Sequence, residues 1–200
     1  MGIEIPQNKF LILDGAMGTV LQQRGLSPQG RPELLNLTEP ELLDSVYKEY
    51  IAAGSQVIYA NTFGANGLKL AKTGHSVEEV VGAAIAVAKR AAAGTGTLVA
   101  LDVGPLGELL EPMGTLSFER AYDLFREMAE AGAKAGADLI VVETMTDLYE
   151  AKAALLAAKE AAHLPVFVTM SFDAGGRTFT GCTVASMART LEGLGADAIG

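Results

Sequence analysis

The sequence predicts an α/β protein with parallel strands. Three observations predict it: five apolar runs end in polar or acidic residues, helical patterns separate the runs, and a short Gly motif recurs where helices give way to strands. Residues 10–13 run into Asp14, 57–60 into Asn61 and Thr62, 98–101 into Asp102, 139–142 into Glu143 and Thr144, and 166–168 into Thr169. Apolar runs without alternation mark strands buried on both faces. In α/β barrels, chemistry sits at the C-terminal ends of such strands.

The helical stripes come in order between the runs. Leu42, Leu43, Val46, Tyr47, Tyr50 and Ile51 form the first, and Val77, Val80, Val81, Ala84, Ile85 and Ala88 the second. Phe118, Tyr122, Phe125, Met128 and Ala129 form the third, and Ala151, Ala154, Leu155 and Ala158 the fourth. Met187, Thr190, Leu191 and Leu194 form a weaker fifth. Thr38 with Glu41, Ser76 with Glu79, and Asp147 with Glu150 match the capping box. Pro40 suits a first helical turn, where its missing N–H is no loss.

Strand and helix alternate, so the crossovers are right-handed and the strands parallel. A closed barrel and an open doubly wound sheet both fit that order. Gly54, Gly136 and Gly195 each precede two small or polar residues and a new strand, the third of which begins at Ala198. A complete eightfold barrel takes about 250 residues. Five strand–helix units already fill these 200 residues. The chain therefore reads as the N-terminal part of a (β/α)8 (TIM) barrel: five β/α units plus the start of strand six, with no boundary inside residues 1–200. Loops 22–39 and 104–117 are expected to cover the working face.

Half of the residues are hydrophobic and the net charge is −9. That charge repels a phosphate backbone and an anionic membrane surface, so neither nucleic acid nor membrane is expected as a partner. No apolar stretch reaches the ~18 residues of a membrane span. Met1 to Lys9 lack the pattern of a signal peptide. Cys182 is the one cysteine, which rules out an intrachain disulfide and fits a cytoplasmic location.

Asp14 leads into Gly15, Ala16, Met17, Gly18 and Thr19, whose backbone N–H groups can approach a small anion while Asp14 takes an ammonium group. Capping of the next turn explains Asp14 equally well. Glu143 follows four apolar residues, so its carboxylate needs a partner, either a ligand ammonium or an internal Arg or Lys. Asn61 and Thr62 offer neutral donors and acceptors, with Phe63 as a wall, or form a simple turn. Asp102 before Gly104-Pro105 is a site residue or a turn residue. There is no dinucleotide or P-loop fingerprint. His75 and His163 read as exposed, and Cys182 has no second Cys or nearby His at zinc-ligand spacing.

Five segments stand in order: Asp14-Gly15-Ala16-Met17-Gly18-Thr19, Asn61-Thr62-Phe63-Gly64-Ala65, Asp102-Val103-Gly104-Pro105 with Gly107-Glu108, Glu143-Thr144, and Ser171-Phe172-Asp173 with Thr180-Gly181. The set resembles the homocysteine S-methyltransferases, most of all the homocysteine-binding domains of the cobalamin-dependent branch. The resemblance runs from about Phe10 to Gly200. It implies a zinc-dependent barrel in which homocysteine, bound as a thiolate, accepts a methyl group and becomes methionine. It also implies zinc ligands from three cysteines beyond Gly200, so this sequence carries no metal ligand and no catalytic residue of its own. Cobalamin and methyltetrahydrofolate would come from other modules of the same or a partner chain. Asp14 and Glu143 would meet the substrate's amino group, and the backbone of Gly15, Ala16 and Met17 its carboxylate. Asn61, Thr62 and Asp102 would play lesser parts. A different donor, another thiol or selenol acceptor, and a non-catalytic amino-acid-binding barrel stay open.

Overall fold

The computed structural model describes residues 10–27 and 30–200, so the segment Met1 to Lys9 lies outside the described residues. Strands β1 (Val57–Tyr59), β2 (Leu98–Val103), β3 (Leu139–Met145), β4 (Val166–Met170) and β5 (Ala198–Ile199) form one parallel sheet in the order β1-β2-β3-β4-β5. A doubly wound sheet reverses its strand order at a switch point. Here the order advances without reversal, as in the wall of a barrel.

Eight α-helices and one 3-10 helix (Pro32–Leu34) accompany the strands among the described residues: α1 (Met17–Gln23), α2 (Leu35–Thr38), α3 (Pro40–Ala52), α4 (Gly67–Leu70), α5 (Val77–Ala92), α6 (Phe118–Ala135), α7 (Leu148–Ala162) and α8 (Val184–Gly193). The five stripes fall on α3, α5, α6, α7 and α8. The short helices α1, α2 and α4 have too few turns to show a period.

Alternation along the strands sorts the core into two layers. Ile58, Val99, Leu101, Ile140, Val142, Val166 and Val168 face the helices and join the main core with Leu43, Ile85, Phe125 and Leu155. Val57, Ala100, Leu139, Val141 and Phe167 face the other way and form an inner cluster with Leu11, Tyr59, Leu98 and Ala198. Both faces are apolar, which is why the runs do not alternate.

The first run departs from the expected strand. It makes one bridge, Leu13 to Val57, and Asp14 N–H donates to the Val57 carbonyl at 3.0 Å. The segment pairs on one side only, and the Gln56 side chain takes the Ile12 N–H at 3.0 Å in place of a ladder bond. Phe10 is 88 % exposed. At the other edge, Ala198 and Ile199 pair with Phe167 and Val168, so the sixth run does begin a strand.

The repeated glycines all adopt left-handed backbone, with φ of 106° at Gly54, 93° at Gly136 and 83° at Gly195. Only glycine does this without a Cβ penalty. The caps are partly as expected. Ser76 accepts from Glu79 N–H, and Pro40 opens α3. Thr38 does not cap α3: it closes α2 and donates to the Leu34 carbonyl, leaving Glu39 at the cap. Asp147 caps α7 through Tyr149 N–H, and Glu150 turns away to accept from Leu106 N–H at 2.7 Å. Asn66, Ser117 and Thr183 cap α4, α6 and α8.

Candidate active site

The C-terminal ends of β1, β2 and β3 put inner-face side chains side by side. Tyr59 pairs with Ala100, and Asp102 with Val141, two residues before Glu143. Asp14 joins them because Tyr59 N–H donates to its Oδ2 at 2.9 Å. Tyr59, Asp102, Glu143 and Asp14 line one cavity of about 580 Å³. Gly15, Ala16, Met17, Asn61, Phe63 and Glu33 line it as well.

Acid dominates the electrostatics. None of the described lining residues is basic. Burial pushes the Asp14 carboxyl up to about 7, against the Tyr59 hydrogen bond, and Glu143 adds repulsion. Burial also holds Asp102 well above the usual carboxylate range, with Glu143, Asp14 and Glu33 contributing. Burial raises Glu143 too. One oxygen each of Asp14 and Asp102 is buried with no hydrogen-bond partner. A buried carboxylate without a partner is costly, so the cavity favours a cationic ligand or a proton.

The turn before α1 supplies the opposite charge preference. Ala16 is the N-cap of α1 with no side-chain cap, so the first-turn N–H groups have no intrahelical acceptor. Tyr50 pins this turn by donating to the Ala16 carbonyl at 3.0 Å. A Cβ on Gly15 would lie 3.0 Å from the Tyr50 hydroxyl oxygen, so a larger residue would press on the Tyr50 ring.

Asn61 and Thr62 are engaged within the protein. Asn61 Nδ2 donates to the Pro32 carbonyl at 2.6 Å, and Asn36 Nδ2 donates to the Asn61 carbonyl at 2.8 Å. These bonds tie loop 22–39 to the end of β1. Thr62 is fully buried, does not line the cavity, and clamps the Asp102 backbone. Pro32, Glu33 and Tyr59 were not among the expected site residues. Glu33 sits far from any strand end in sequence, and its Oε1 accepts from Gly64 N–H at 2.8 Å. Tyr59 could have been found from period two, since it shares a strand face with Val57 and Asn61. Phe63 walls the cavity as expected.

A parallel α/β sheet with acidic strand ends around one cavity defines a small-ligand site at the carboxyl ends of the strands. The sequence pattern described as Homocysteine S-methyltransferase matches residues 11–200. The chain belongs to that family. Methionine synthase of Mycobacterium tuberculosis (strain ATCC 25618 / H37Rv) is 31% identical over 218 residues, covering 99% of this chain and 18% of the relative. The Mycobacterium leprae (strain TN) methionine synthase matches to the same extent. This chain thus spans about a fifth of the curated relatives it matches. Among solved structures, the oxidized form of the homocysteine methyltransferase MmuM from Escherichia coli superposes with a TM-score of 0.83 at 25% identity, covering 94% of this chain and 72% of that one. The metallated form gives a TM-score of 0.84 at 24% identity, covering 96% and 74%.

Proposed function

We propose that this chain is the homocysteine-holding part of a homocysteine S-methyltransferase of the methionine synthase type. The observation that carries the reading is the convergence of Asp14, Asp102 and Glu143 on one cavity whose described lining has no basic side chain. Asp14 and Glu143 receive the ammonium group. The N–H groups at Gly15, Ala16 and Met17 receive the carboxylate at the start of α1. Asp102, Asn61 and Thr62 act behind them, with Thr62 and Asn61 fixing the strand ends. The thiol end of the ligand then points away from the acids.

The sheet is read as part of an eightfold barrel within a single domain over residues 1–200. Its strand order supports this, as does the exposure of Leu13 and Ile199 at the two edges of the sheet, which further β/α units would cover.

Zinc does not fit the described residues. No group of three or more His, Cys, Asp or Glu among the described residues is arranged to hold a metal ion. Cys182 donates its thiol to the Thr183 carbonyl, and it does not line the cavity. The resemblance assigns the zinc ligands to cysteines outside this sequence. Methylcobalamin is the proposed donor, with cobalamin and methyltetrahydrofolate held by other modules, as the resemblance of the five sequence segments implies. A cytoplasmic location goes with that reading. No described helix is long and apolar enough to cross a membrane.

The test is Glu143→Ala in the complete protein. Homocysteine affinity should fall about tenfold or more while zinc content stays constant, since a desolvated charge pair is lost. Unchanged affinity together with lost zinc would overturn the assignment.

A further inference from the structure

The turn that leads from the first run into α1 is held from behind by α3. Asp14 N–H donates to the Val57 carbonyl at 3.0 Å, which ties the start of the turn to β1. Two residues on, Tyr50 Oη donates to the Ala16 carbonyl at 3.0 Å, from 34 residues away in sequence. Between these two anchors lies Gly15, where a Cβ would stand 3.0 Å from the Tyr50 hydroxyl oxygen and 3.1 Å from the nearest ring carbon. The ring therefore lies against the turn. At the far end of α1, Arg24 donates to Ser45 Oγ at 2.8 Å and to Glu49 Oε2 at 2.5 Å. Helix α3 thus holds α1 at both ends, through Tyr50 at its start and through Ser45 and Glu49 at its close.

The bond from Tyr50 sets a direction as well as a position. A trans peptide is planar, so its carbonyl and its N–H point opposite ways. The peptide between Ala16 and Met17 is trans. With the Ala16 carbonyl drawn toward Tyr50, the Met17 N–H points away from α3. Gly15, Ala16 and Met17 line the cavity and Tyr50 does not, so the turn stands between the tyrosine and the cavity. The Met17 N–H is therefore aimed at the cavity side. In that same cavity Asp102 is 7 % exposed, and its Oδ1 has no partner among the described residues, so the space is one that a polar ligand completes. Ala16 has no side-chain cap to offer α1, so nothing inside the turn substitutes for the bond from Tyr50. Burial raises the Tyr50 phenol, and Asp14 and Glu49 add repulsion, so the hydroxyl keeps its proton and stays a donor.

We infer that Tyr50 is a positioning residue: by holding the Ala16 carbonyl from behind, it aims the Met17 N–H at the ligand's carboxylate. Without that bond the peptide plane turns about its flanking single bonds, and the N–H loses its direction at little cost to the fold. This rests on the placement of the carboxylate at Gly15, Ala16 and Met17, and the test separates the two. Calorimetry on the complete protein compares three thiols. They are L-homocysteine, 3-aminopropane-1-thiol, which lacks the carboxylate, and 4-mercaptobutanoate, which lacks the amino group.

Tyr50→Phe removes the hydroxyl and keeps the ring. It should weaken L-homocysteine and 4-mercaptobutanoate each by about five- to tenfold and leave 3-aminopropane-1-thiol and Tm near the parent's. Arg24→Gln frees the other end of α1 and should leave all three affinities near the parent's. If Tyr50→Phe weakens the three thiols alike, or changes none of them, the inference falls. It also falls if Arg24→Gln reproduces the Tyr50→Phe pattern, because the effect then belongs to α1 as a whole. If the parent itself binds L-homocysteine no better than 3-aminopropane-1-thiol, the carboxylate placement fails and takes the inference with it. A parent preference for the carboxylate that Tyr50→Phe alone removes supports both. A second reading needs no variant. The Met17 amide ¹H–¹⁵N signal of the parent should move on saturation with 4-mercaptobutanoate and hold still with 3-aminopropane-1-thiol. A Met17 signal indifferent to the carboxylate would overturn the direction assigned to that N–H.

Discussion

Thr62 holds both backbone groups of Asp102. Its Oγ1 accepts from Asp102 N–H at 3.0 Å and donates to the Asp102 carbonyl at 2.7 Å. The end of β1 is thereby locked to the end of β2, and the Asp102 carboxyl is fixed in the cavity. Thr62→Val conserves shape but leaves both groups unpaired in a buried place. It should destabilise the fold by about 1–3 kcal/mol. Urea unfolding of the parent and the variant checks this, and equal midpoints would show that the clamp contributes nothing.

Asp14 should trade stability for binding. Asn at this position keeps an acceptor for Tyr59 N–H and removes a buried charge. Asp14→Asn should therefore bind L-methionine about tenfold more weakly yet unfold at a higher temperature at pH 8. Methionine is the useful probe because it has no thiol to titrate. Calorimetric binding and thermal unfolding give the two readings.

The pH dependence follows from the same carboxyls. Burial raises Asp14 and Glu150 to about 7 in the folded chain. Between their unfolded values near 4 and about 7, the folded chain holds protons that the unfolded chain has released. Their contribution to stability is therefore largest below about pH 4, falls as pH rises toward about 7, and is flat above. The Tm of Asp14→Asn relative to the parent should climb across that window. Methionine affinity should rise over the same range, because the ammonium needs an ionised partner. A pH-independent Tm difference would contradict the assignment.

Glu150 separates charge from hydrogen bonding. Its Oε1 accepts from Leu106 N–H and so holds the loop after β2. Glu150→Gln keeps an acceptor and should match or exceed the parent's stability at pH 8. Glu150→Ala strands the Leu106 N–H and should lose about 1–3 kcal/mol. Chemical unfolding of the parent and both variants at pH 8 ranks them: Glu150→Ala as stable as Glu150→Gln would show that the bond to Leu106 contributes nothing, and Glu150→Gln less stable than the parent would mean that the ionised carboxylate is stabilising.

Much of this was legible in the sequence because the physics was local. Double burial wrote the strands as unbroken apolar runs, and the glycines at 54, 136 and 195 marked positions that only left-handed backbone satisfies. Asp14, Asp102 and Glu143 were readable because each is the first acid after such a run. Loop-to-strand contacts were not readable: Glu33 reaches Gly64 across 31 residues, and Glu150 abandons its capping role for Leu106, 44 residues away. The β-bulge between Val142 and Met145, with φ of 59° at Thr144, was hidden for another reason. A β-branched residue gives no hint of left-handed backbone, and only the pairing with β4 shows the extra residue.

The cavity wall depends on a glycine. Phe63 lines the cavity, and its ring lies flat against Gly104, where a Cβ would stand 2.5 Å from the nearest ring carbon. Gly104 N–H also donates to the Phe63 carbonyl at 3.0 Å, so the two segments cannot simply slide apart. Gly104→Ala must push the ring into the cavity or break that bond. The first outcome shrinks the space beside Asp102, and the second loosens the turn that follows it. Either way stability should fall by about 1–3 kcal/mol and ligand affinity should fall with it. Phe63→Leu in the same background provides the control, because a smaller side chain makes room for the new methyl group. The double variant should recover part of the stability lost by Gly104→Ala, measured by the coupling energy of the mutant cycle. A coupling energy near zero would show that the ring does not depend on the glycine.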